Sequence, residues 1–432
     1  MSSFRIENAT ILTMTPGGLP LENGILECVD GVITAVGTGL DVQRTEVDEV
    51  LDGSGCALLP GFVNAHTHLA MTLFRGYADD MPLRPWLEEK IWPIEMKLTE
   101  EDVYWGAMLG IVESLHSGVT CFCDMYHYPP AGTRAAVDGG IRACPSGVLL
   151  GFLSNADEML DQAIEFTREL KAGGSTRIHP MLGPHAPYTC PDRLLQRTVA
   201  AAVEQGIGLH IHLSETEHEV AESRASHGVS PIRHMLDIGL FEAHVLAAHC
   251  VHLDDDDIQI LAEKGVGVAH CPGSNLKLAS GFARVPDLLA AGATVGLGTD
   301  GAASNNNLDM LEEARLAALI HKAQSEDPTV VPASAALGML TRDSARALGL
   351  GDLIGTLEVG KRGDMVLLDL TGAHTQPLFH VDSQIIYAAR ASDVRTTIVD
   401  GEIVMRDGAL TKLDEEGIVT EVRQRAEKLA GA

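Results

Sequence analysis

Apolar and polar positions divide the middle of the chain, from about residue 58 to residue 350, into short apolar runs and longer amphipathic stretches. The apolar runs have the length of β-strands, and most are followed by a stretch with helical periodicity. The eight runs are CALLPGFVNAH (56–66), GVTCFCDM (118–125), GVLLGF (147–152), RIHPMLGP (177–184), IGLHIHLSE (207–215), HVLAAHC (244–250), VGVAHCP (266–272) and TVGLGTD (294–300). Eight β/α units over about 290 residues predict an α/β fold of the (β/α)8 TIM-barrel type.

Several amphipathic stretches carry signals for the start of a helix. Thr99 is a predicted N-cap for the helix EEDVYWGAMLGIVESLH, which Gly118 ends. Pro191 stands near the first turn of PDRLLQRTVAAAVEQG, and a third helix is predicted over LDMLEEARLAALIHKAQ. The acidic run Asp254 to Asp257 is typical of a first helical turn, where carboxylates interact favourably with the helix dipole. A doubly wound open sheet is the competing architecture, but the sequence has no glycine-rich phosphate-binding motif that opens a helix.

Both ends of the chain have a different pattern, in which apolar and polar residues alternate with a period of two. The first part contains SFRIENATILTM and GILECVDGVITAVG, and the tail contains GTLEVGKRGDMVLLDL and DVRTTIVDGEIVMRDG. Asp-Gly pairs at both ends are hairpin signals. The sequence therefore predicts a small β-sandwich domain formed by residues 1–57 and 353–432, beside a barrel domain at residues 58–352.

Composition and charge narrow the classes of function. The 432 residues are 45% hydrophobic and 21% charged, as in folded globular proteins. The formal net charge of -29 repels phosphate backbones and anionic membranes, so we expect neither nucleic acid nor a membrane as a partner. No apolar run has the length of a membrane span, and the N-terminus lacks the pattern of a secretion signal. Eight scattered cysteines without a Cys-x-x-Cys pair suit a reducing cytoplasm, and a homo-oligomer is compatible with these properties.

Histidines and acidic residues recur at one end of the predicted strands. In a TIM-type barrel, the C-terminal ends of the strands form the active site. The residues at those ends are His66, His68, His185, His210, His212, Glu215, His249, His270 and Asp300. Their shared position predicts a catalytic centre on this face of the barrel, although His270 fits a structural role equally well.

His66 and His68 are the clearest metal-ligand pair, because residues i and i+2 of a strand project to the same face. Together with His212 and Asp300 they would form a set of three imidazoles and one carboxylate. This set suits Zn²⁺ with one coordination position left for water, while Fe²⁺ and Mn²⁺ accept the same ligand types. His210 alternates with His212 in its strand, so the spacing alone allows either histidine to be the ligand.

Glu215 follows His212 by three residues, so its carboxylate leaves the strand close to the predicted metal. A metal lowers the pKa of water to about 7, and a nearby carboxylate can then shuttle its proton. The competing interpretation is a helix-start carboxylate, because SETEHEVAES opens a helix.

Motifs along nearly the whole predicted barrel resemble the amidohydrolase superfamily, and within it the 5-methylthioadenosine/S-adenosylhomocysteine deaminase family. The matching segments are PGFVNAHTH, RGYADDMPLRPWLEEKIWPIE, GPHAPYTC, HIHLSETEHEV, AHCVHL, AHCPGSNLKL and GLGTDGAASNNNLDML. The resemblance implies a barrel with a small composite β-domain, and hydrolytic deamination at C6 of adenine nucleosides.

The resemblance also implies roles for single residues. The implied metal ligands are His66, His68, His212 and Asp300. Glu215 would be the proton shuttle, and His249 would lie beside the carbon that is attacked, so that Glu215, His249 and Asp300 form the catalytic set. This assignment favours His212 over His210 as the ligand and leaves His210 as a packed barrel histidine.

Three further residues are implied to bind the substrate. His185 would contact it, and Glu95, in the long loop after the first strand, would accept hydrogen bonds from the ribose hydroxyls. Trp86 in the same loop would form an aromatic wall for the base or the thioether. Surface-loop positions are the alternative for Glu95 and Trp86, although a loop of this length is usually functional or disordered.

The sequence departs from the family at one point. Related deaminases often have an arginine just after the third strand, where this chain has Ser146 and Gly147. The choice among methylthioadenosine, S-adenosylhomocysteine and adenosine therefore stays open. The fourth strand region, RIHPMLGPHAPYT, has no lysine that could be carboxylated to bridge two metals, which favours one metal per subunit.

Two other functions are compatible with parts of the pattern. One keeps the site and changes the substrate, to a guanine-type base or an s-triazine. The other is a catalytically silent protein that binds a nucleoside or a metal. Glu95 argues against the first, because a ribose-binding carboxylate has no purpose with a bare ring, and the complete ligand set with Glu215 argues against the second.

Overall fold

The computed structural model describes residues 3–39, 42 and 45–431. In these residues the strands are β1 (Ser3–Ile11), β2 (Leu21–Val29), β3 (Val32–Thr38), β4 (Glu49–Asp52), β5 (Cys56–Pro60), β6 (Phe62–Thr67), β7 (Val119–Tyr126), β8 (Arg142–Leu149), β9 (Met181–Pro184), β10 (Gly208–Leu213), β11 (Val245–His249), β12 (Gly267–His270), β13 (Thr294–Leu297), β14 (Met365–Asp369), β15 (Val394–Val399), β16 (Glu402–Arg406) and β17 (Ala409–Leu410).

The α-helices follow the barrel strands and also end the chain. They are α1 (Leu83–Pro85), α2 (Trp92–Glu95), α3 (Glu100–His116), α4 (Pro129–Gly139), α5 (Ala156–Ala172), α6 (Asp192–Gln205), α7 (Glu217–His227), α8 (Pro231–Asp237), α9 (Asp255–Glu263), α10 (Pro272–Lys277), α11 (Val285–Ala290), α12 (Met310–Ser325), α13 (Ala333–Gly338), α14 (Ser344–Ala347), α15 (Val381–Tyr387) and α16 (Glu415–Ala430). Short 3-10 turns lie at Leu69–Phe74, Leu240–Glu242, Ala373–Thr375 and Ala391–Asp393, and π-helical turns at Trp86–Ile91 and Met339–Asp343. Every helix in the described ranges is too short or too polar to cross a bilayer.

Strands β6 to β13 form an eight-stranded parallel barrel in chain order, which confirms the predicted fold class. The first and last strands meet through side chains and backbone near their C-terminal ends. The backbone N–H of Asp300 donates to the carbonyl of His66 at 3.0 Å, and Asn64 and Thr299 exchange two further hydrogen bonds. Gly298 makes this approach possible, because a Cβ there would lie 2.9 Å from the Cβ of His66.

Two strand predictions need correction. The sequence predicts the third barrel strand at residues 147–152, but the observed β8 begins at Arg142. The start of β8 contains polar residues and a proline and so lacks an apolar run, although the strand is almost fully buried. The first run, residues 56–66, is two strands: β5 pairs with β14 and β1, and β6 enters the barrel. The chain turns between them at Gly61, where a Cβ would lie 2.0 Å from Thr120 Oγ1.

The β-rich ends of the chain form one mixed sheet of nine strands. Its order is β17-β16-β15-β14-β5-β1-β2-β3, with β4 beside β1. Strand β5 is antiparallel to β14 and parallel to β1, so the two chain ends are joined through it. The domain limits at residues 57 and 352 stay a prediction, and β5 crosses the first of them.

The helix-boundary signals agree with the structure. Thr99 caps α3 through a reciprocal capping box with Asp102, and Asp254 caps α9 in the same way with Asp257. The C-terminal helix α16 lies outside the mixed sheet and packs on α3, where Arg425 donates to Asp102 at 2.9 Å. The cysteines Cys28, Cys56, Cys121, Cys123, Cys144, Cys190, Cys250 and Cys271 are all buried free thiols.

A buried ion pair fixes the mixed sheet to the bottom of the barrel. The guanidinium of Arg142, at the start of β8, is 0% exposed and forms two bonds with Asp364, at 2.8 and 2.7 Å. It also donates to Asp400, in the turn between β15 and β16, at 3.2 Å. Arg142 and Arg362 hold the pKa of Asp400 at about 2, although burial would raise it. The carboxylate of Asp400 therefore stays charged, and both carboxylates are paired with Arg142.

We expect Arg142→Ala to lower the free energy of unfolding by about 3–5 kcal/mol, because it leaves the buried carboxylate of Asp364 without its cation. Urea titration measures this loss. Arg168→Ala, which removes an exposed arginine paired with Glu165 on α5, is the matched control and should change stability by less than about 0.5 kcal/mol. Equal effects of the two substitutions would contradict this function of Arg142.

Candidate functional site

The predicted metal ligands converge at the C-terminal mouth of the barrel. Nε2 of His66 lies 3.3 Å and Nε2 of His68 lies 3.2 Å from the same oxygen, Oδ1 of Asp300. A second group joins His66 with His212 and His249, and in each group the ligand atoms lie within 4.8 Å of one another. His66 belongs to both groups and stands at the centre of the cluster.

The chemistry of the cluster fits a divalent metal ion. Nε2 of His66 is buried and has no hydrogen-bond partner among the described residues, so its lone pair is free to coordinate. Burial lowers the pKa of His66 to about 4, which keeps the imidazole neutral as a ligand must be. Burial would raise the pKa of Asp300, but His66 and His68 hold it well below its usual value. Burial would lower the pKa of His68, but Asp300 and the Met125 carbonyl raise it to about 9, so this imidazole must give up a proton when it binds a metal. The site thus offers the neutral imidazoles of His66 and His212, the imidazole of His68 and a charged carboxylate to one ion.

Each imidazole is oriented by a bond at its other nitrogen. His68 Nδ1 donates to the carbonyl of Met125 at 2.6 Å, and His212 Nδ1 donates to the carbonyl of His185 at 2.8 Å. His249 Nδ1 donates to Oδ1 of Asn275 at 2.9 Å. These bonds hold each ring with Nε2 turned to the cavity, as in other metal sites.

Asp300 is held by two serines. Ser274 and Ser304 donate to its Oδ2 at 2.6 and 2.8 Å, which leaves Oδ1 facing the histidines. The backbones of Asp300 and His249 are left-handed, with φ of 60° and 71°. Non-glycine residues rarely adopt this conformation, and it is concentrated at functional sites.

His210 has a role that the sequence did not reveal. Its Nε2 lies 2.7 Å from Nδ1 of His66, so it stands behind the cluster, outside both ligand groups. Its Nδ1 lies 3.1 Å from the hydroxyl of Ser146, which donates to the carbonyl of Asp124 at 2.7 Å. For His66 to coordinate through Nε2, its Nδ1 must carry the proton and donate it to His210. Ser146 belongs to this chain of bonds. It lies inside β8, whereas the sequence predicts it just after the third strand.

Glu215 lies at the start of the loop after β10. Ser280 donates to its Oε1 at 3.2 Å, and its Oε2 is 3.9 Å from Nε2 of His249. Burial raises its pKa, so the carboxyl is poised for proton transfer. A second buried acid, Glu219, accepts from the backbone N–H groups of Ser214 and Glu215, both at 2.8 Å. The sequence analysis missed Glu219, although Glu-x-x-x-Glu at a helix start was a visible signal.

The predicted substrate residues line one cavity together with the cluster. Trp86 is buried, and its Nε1 donates to the carbonyl of Ala78 at 3.0 Å. His185 Nδ1 lies 2.9 Å from Thr189 Oγ1. The Glu95 carboxylate lies 3.7 Å from Nε2 of His127. Glu95 and Trp86 therefore lie in the site and not on an outer surface loop.

Some lining residues were not predicted, and one strand-end residue lies elsewhere. Tyr126 and His127 end β7 and face the cavity, and the Tyr126 hydroxyl is buried without a partner among the described residues. Their place at the end of the second barrel strand is the signal that could have identified them. His270 is buried beside His321, with 3.4 Å between their Nε2 atoms, and does not line the cavity.

Comparisons with known proteins converge on one family. The model of the amidohydrolase family matches residues 57–404. A 5-methylthioadenosine/S-adenosylhomocysteine deaminase of Desulforamulus reducens is 48% identical over 432 residues, 100% of each chain. A 5'-deoxyadenosine deaminase of Methanosarcina mazei is 44% identical over 431 residues, 99% of each chain. The structure of an adenosine deaminase of Xanthomonas campestris with bound zinc has a TM-score of 0.96 and 37% identity, and the match covers 100% of this chain and 99% of that one.

We expect His210→Phe to weaken metal retention by about ten- to a hundredfold, because His66 loses the acceptor that fixes its tautomer. Chelator competition and metal analysis measure this change. His210→Gln should restore part of the affinity, since an amide oxygen can accept from Nδ1. His270→Phe removes another buried strand-end histidine and should leave metal affinity unchanged. Full retention in His210→Phe would show that His210 only fills space.

The raised pKa of Glu219 predicts that the stability of the protein depends on pH. Burial raises its pKa from 4.5 to about 7, so its contribution to folding is complete below pH 4.5 and is lost as the pH rises through about 7. We expect Glu219→Gln to remove this decline, which amounts to about 3 kcal/mol. Urea unfolding of the metal-loaded protein between pH 4.5 and 8 measures it. Glu217→Gln changes an exposed neighbour and should keep the wild-type dependence of the free energy of unfolding on pH. If Glu219→Gln shows the same decline with pH as the wild type, the prediction is contradicted.

Proposed function

Because the chain belongs to the amidohydrolase family, we propose that it hydrolyses the 6-amino group of adenine nucleosides and releases ammonia. The proposed substrates are 5'-methylthioadenosine and S-adenosylhomocysteine, and also adenosine. The observation that carries this proposal is a single cavity lined by His68, His212, His249 and Asp300 of the cluster, by the buried acid Glu215 and by Glu95 at the end of α2. The names of the full-length relatives, which are deaminases of such nucleosides, support it.

We propose that the metal is one zinc ion per subunit, held by His66, His68, His212 and Asp300. The ligand types suit zinc, and the related structure from Xanthomonas campestris contains it. When bound, the metal supplies Lewis acidity that makes a water molecule nucleophilic near neutral pH. Fe²⁺ and Mn²⁺ are the alternatives, because they accept the same ligands.

In the proposed reaction, water adds to C6 of the purine, one of its protons goes to N1 and the other passes to the departing amino group. The C6–N6 bond then breaks, ammonia leaves and a carbonyl remains at C6. Glu215 takes a proton from the water and delivers it to N1, and its raised pKa suits a group that must both accept and donate. Nε2 of His249 is on the cavity side, because Nδ1 donates to Asn275, and it accepts a hydrogen bond from the water that adds to C6. Asp300 orients the water through Oδ1, because its Oδ2 is already occupied by Ser274 and Ser304.

The substrate-binding part of the proposal rests on three lining residues. Glu95 accepts hydrogen bonds from the ribose hydroxyls, His185 contacts the substrate close to the cluster, and Trp86 packs against the base or the thioether. The ring of His185 lies 4.8 Å from the ring of His212, centroid to centroid, so it borders the cluster directly. Burial lowers the pKa of His185 to about 3, so it meets the substrate as a neutral ring.

Two alternative functions differ from this proposal at identifiable residues. Deamination of a guanine-type base or hydrolysis of an s-triazine needs the cluster and Glu215 but gives Glu95 nothing to bind. A catalytically silent binding protein needs neither Glu215 nor its partner Ser280. The described structure keeps the whole constellation, which favours a deaminase of nucleosides.

The decisive test is a substrate panel of adenosine, methylthioadenosine, S-adenosylhomocysteine, guanine and an s-triazine, followed by ultraviolet absorbance and ammonia release. We expect turnover of the adenine nucleosides only. Glu215→Gln should lower kcat by at least about a hundredfold with unchanged metal content, because proton transfer of this kind is worth about 10²–10⁴ in rate. Glu217→Gln is the matched control and should retain wild-type kcat. Turnover of guanine or the triazine alone would contradict the proposal, as would near-normal kcat in Glu215→Gln.

A further inference from the structure

The active-site cavity continues into an open apolar groove of about 800 Å³, which lies between the end of β8 and helix α5. This size is within the usual range of small-molecule sites. The cavity and the groove share Trp92, Glu95, Tyr126, His127, Val148 and Leu150. A ligand whose ribose lies against Glu95 would therefore have its next atoms at the entrance of this groove.

The groove wall is largely hydrocarbon. Phe152 and Met96 are 59% and 85% exposed, which is unusual for large apolar side chains. Phe152 lies against Trp92 with 6.0 Å between ring centroids. Met159 and Phe166 of α5 also line it. A molecule that covers these side chains gains from removing them from water.

The charges around the groove are of one sign. Glu95 and Glu100 are its carboxylates, and His127 is its remaining titratable side chain apart from Tyr126 and Tyr128. Among the described residues that line the cavity or the groove, none is an arginine or a lysine. A carboxylate at the end of a ligand would lose water here without meeting a cation, which is costly.

The second groove, on the other side of Trp92 and Phe152, offers no better place for an anion. Its arginine, Arg84, already binds Glu88 at 2.8 Å and contacts Nε2 of His218 at 3.1 Å. Its other acidic lining residues are Glu217, Glu219 and Glu222. Both exits from the cavity are therefore unfavourable for a negatively charged tail.

We infer that the groove receives the 5' substituent of the nucleoside and selects uncharged, apolar tails over tails that end in a carboxylate. The inference rests on the proposed nucleoside deamination and narrows its substrate class. It makes 5'-alkylthio and 5'-deoxy nucleosides better substrates than nucleosides whose 5' tail carries a carboxylate as its only charge. The apolar side chains of the groove attract an uncharged tail. A carboxylate is disfavoured because no arginine or lysine is among the described residues that line the groove.

The test uses two thioethers that differ only at the last atom group: 5'-butylthioadenosine and 5'-(3-carboxypropylthio)adenosine. We expect kcat/KM to rise about threefold per methylene from methylthio to butylthio. The carboxylate should lower kcat/KM at least about tenfold relative to butylthio. Equal use of the two thioethers, or no gain with alkyl length, would overturn the inference.

A charge placed in the groove provides the matched variant. Gln162 is exposed on α5 and lines the groove, so Gln162→Arg should raise the carboxylate-to-butyl ratio of kcat/KM about tenfold. Gln196→Arg adds the same charge to an exposed position of α6, outside the residues that line the groove, and should leave the ratio unchanged. An unchanged carboxylate-to-butyl ratio in Gln162→Arg would contradict the inference that the 5' substituent lies in the groove.

The two proposals fail in different ways. If no adenine nucleoside releases ammonia, the proposed function is wrong and the inference falls with it. If all of them react but without preference for the tail, only the assignment of the groove is wrong.

Discussion

The hydrogen bond from the backbone N–H of Asp300 to the carbonyl of His66 joins the last barrel strand to the first and brings a carboxylate to two imidazoles. The closure of the barrel and the assembly of the site are thus the same event. The residues involved lie more than 200 positions apart in the chain, so no local segment can form the cluster by itself. Gly298 allows this contact, since any side chain there would collide with His66.

The rest of the site follows from the cost of burying polar groups at this junction. A buried imidazole needs a partner at each nitrogen, and the barrel interior provides carbonyls, an asparagine and a second histidine for the nitrogens that do not face the cavity. The imidazole nitrogens and the Asp300 oxygen that take no part in these bonds then lie close together at the mouth of the barrel. Burial keeps His66 and His212 neutral, and the two serines leave Asp300 one free oxygen, so the protein alone determines which atoms a cation would meet.

Much of the barrel and of its site could be predicted from the sequence, because both follow from the periodicity of apolar and polar residues. Strand-length apolar runs that alternate with helices specify a barrel, and polar residues at the ends of those runs share a face. This places His66, His68 and Asp300 beside either His210 or His212, and the family resemblance favours His212. The early start of β8 could not be predicted in this way. Arg142 and Pro145 look like loop residues, and only the distant partners Asp364 and Asp400 make a buried arginine acceptable. The relation of His210 to His66 was hidden for a similar reason, since alternation in a strand gives the face of a residue and not its neighbour across the barrel.

The mixed sheet has a consequence for how the protein is made. Strand β5 ends at Pro60, and its antiparallel partner β14 begins roughly 300 residues later, at Met365. A ribosome that adds about 5–20 residues per second needs roughly 15–60 s to cover that distance. During this time one edge of β5 has no strand beside it, and an unpaired apolar edge is a template for aggregation. The mixed sheet therefore cannot be completed until most of the chain has been made, and this edge of β5 stays open to other strands until β14 emerges.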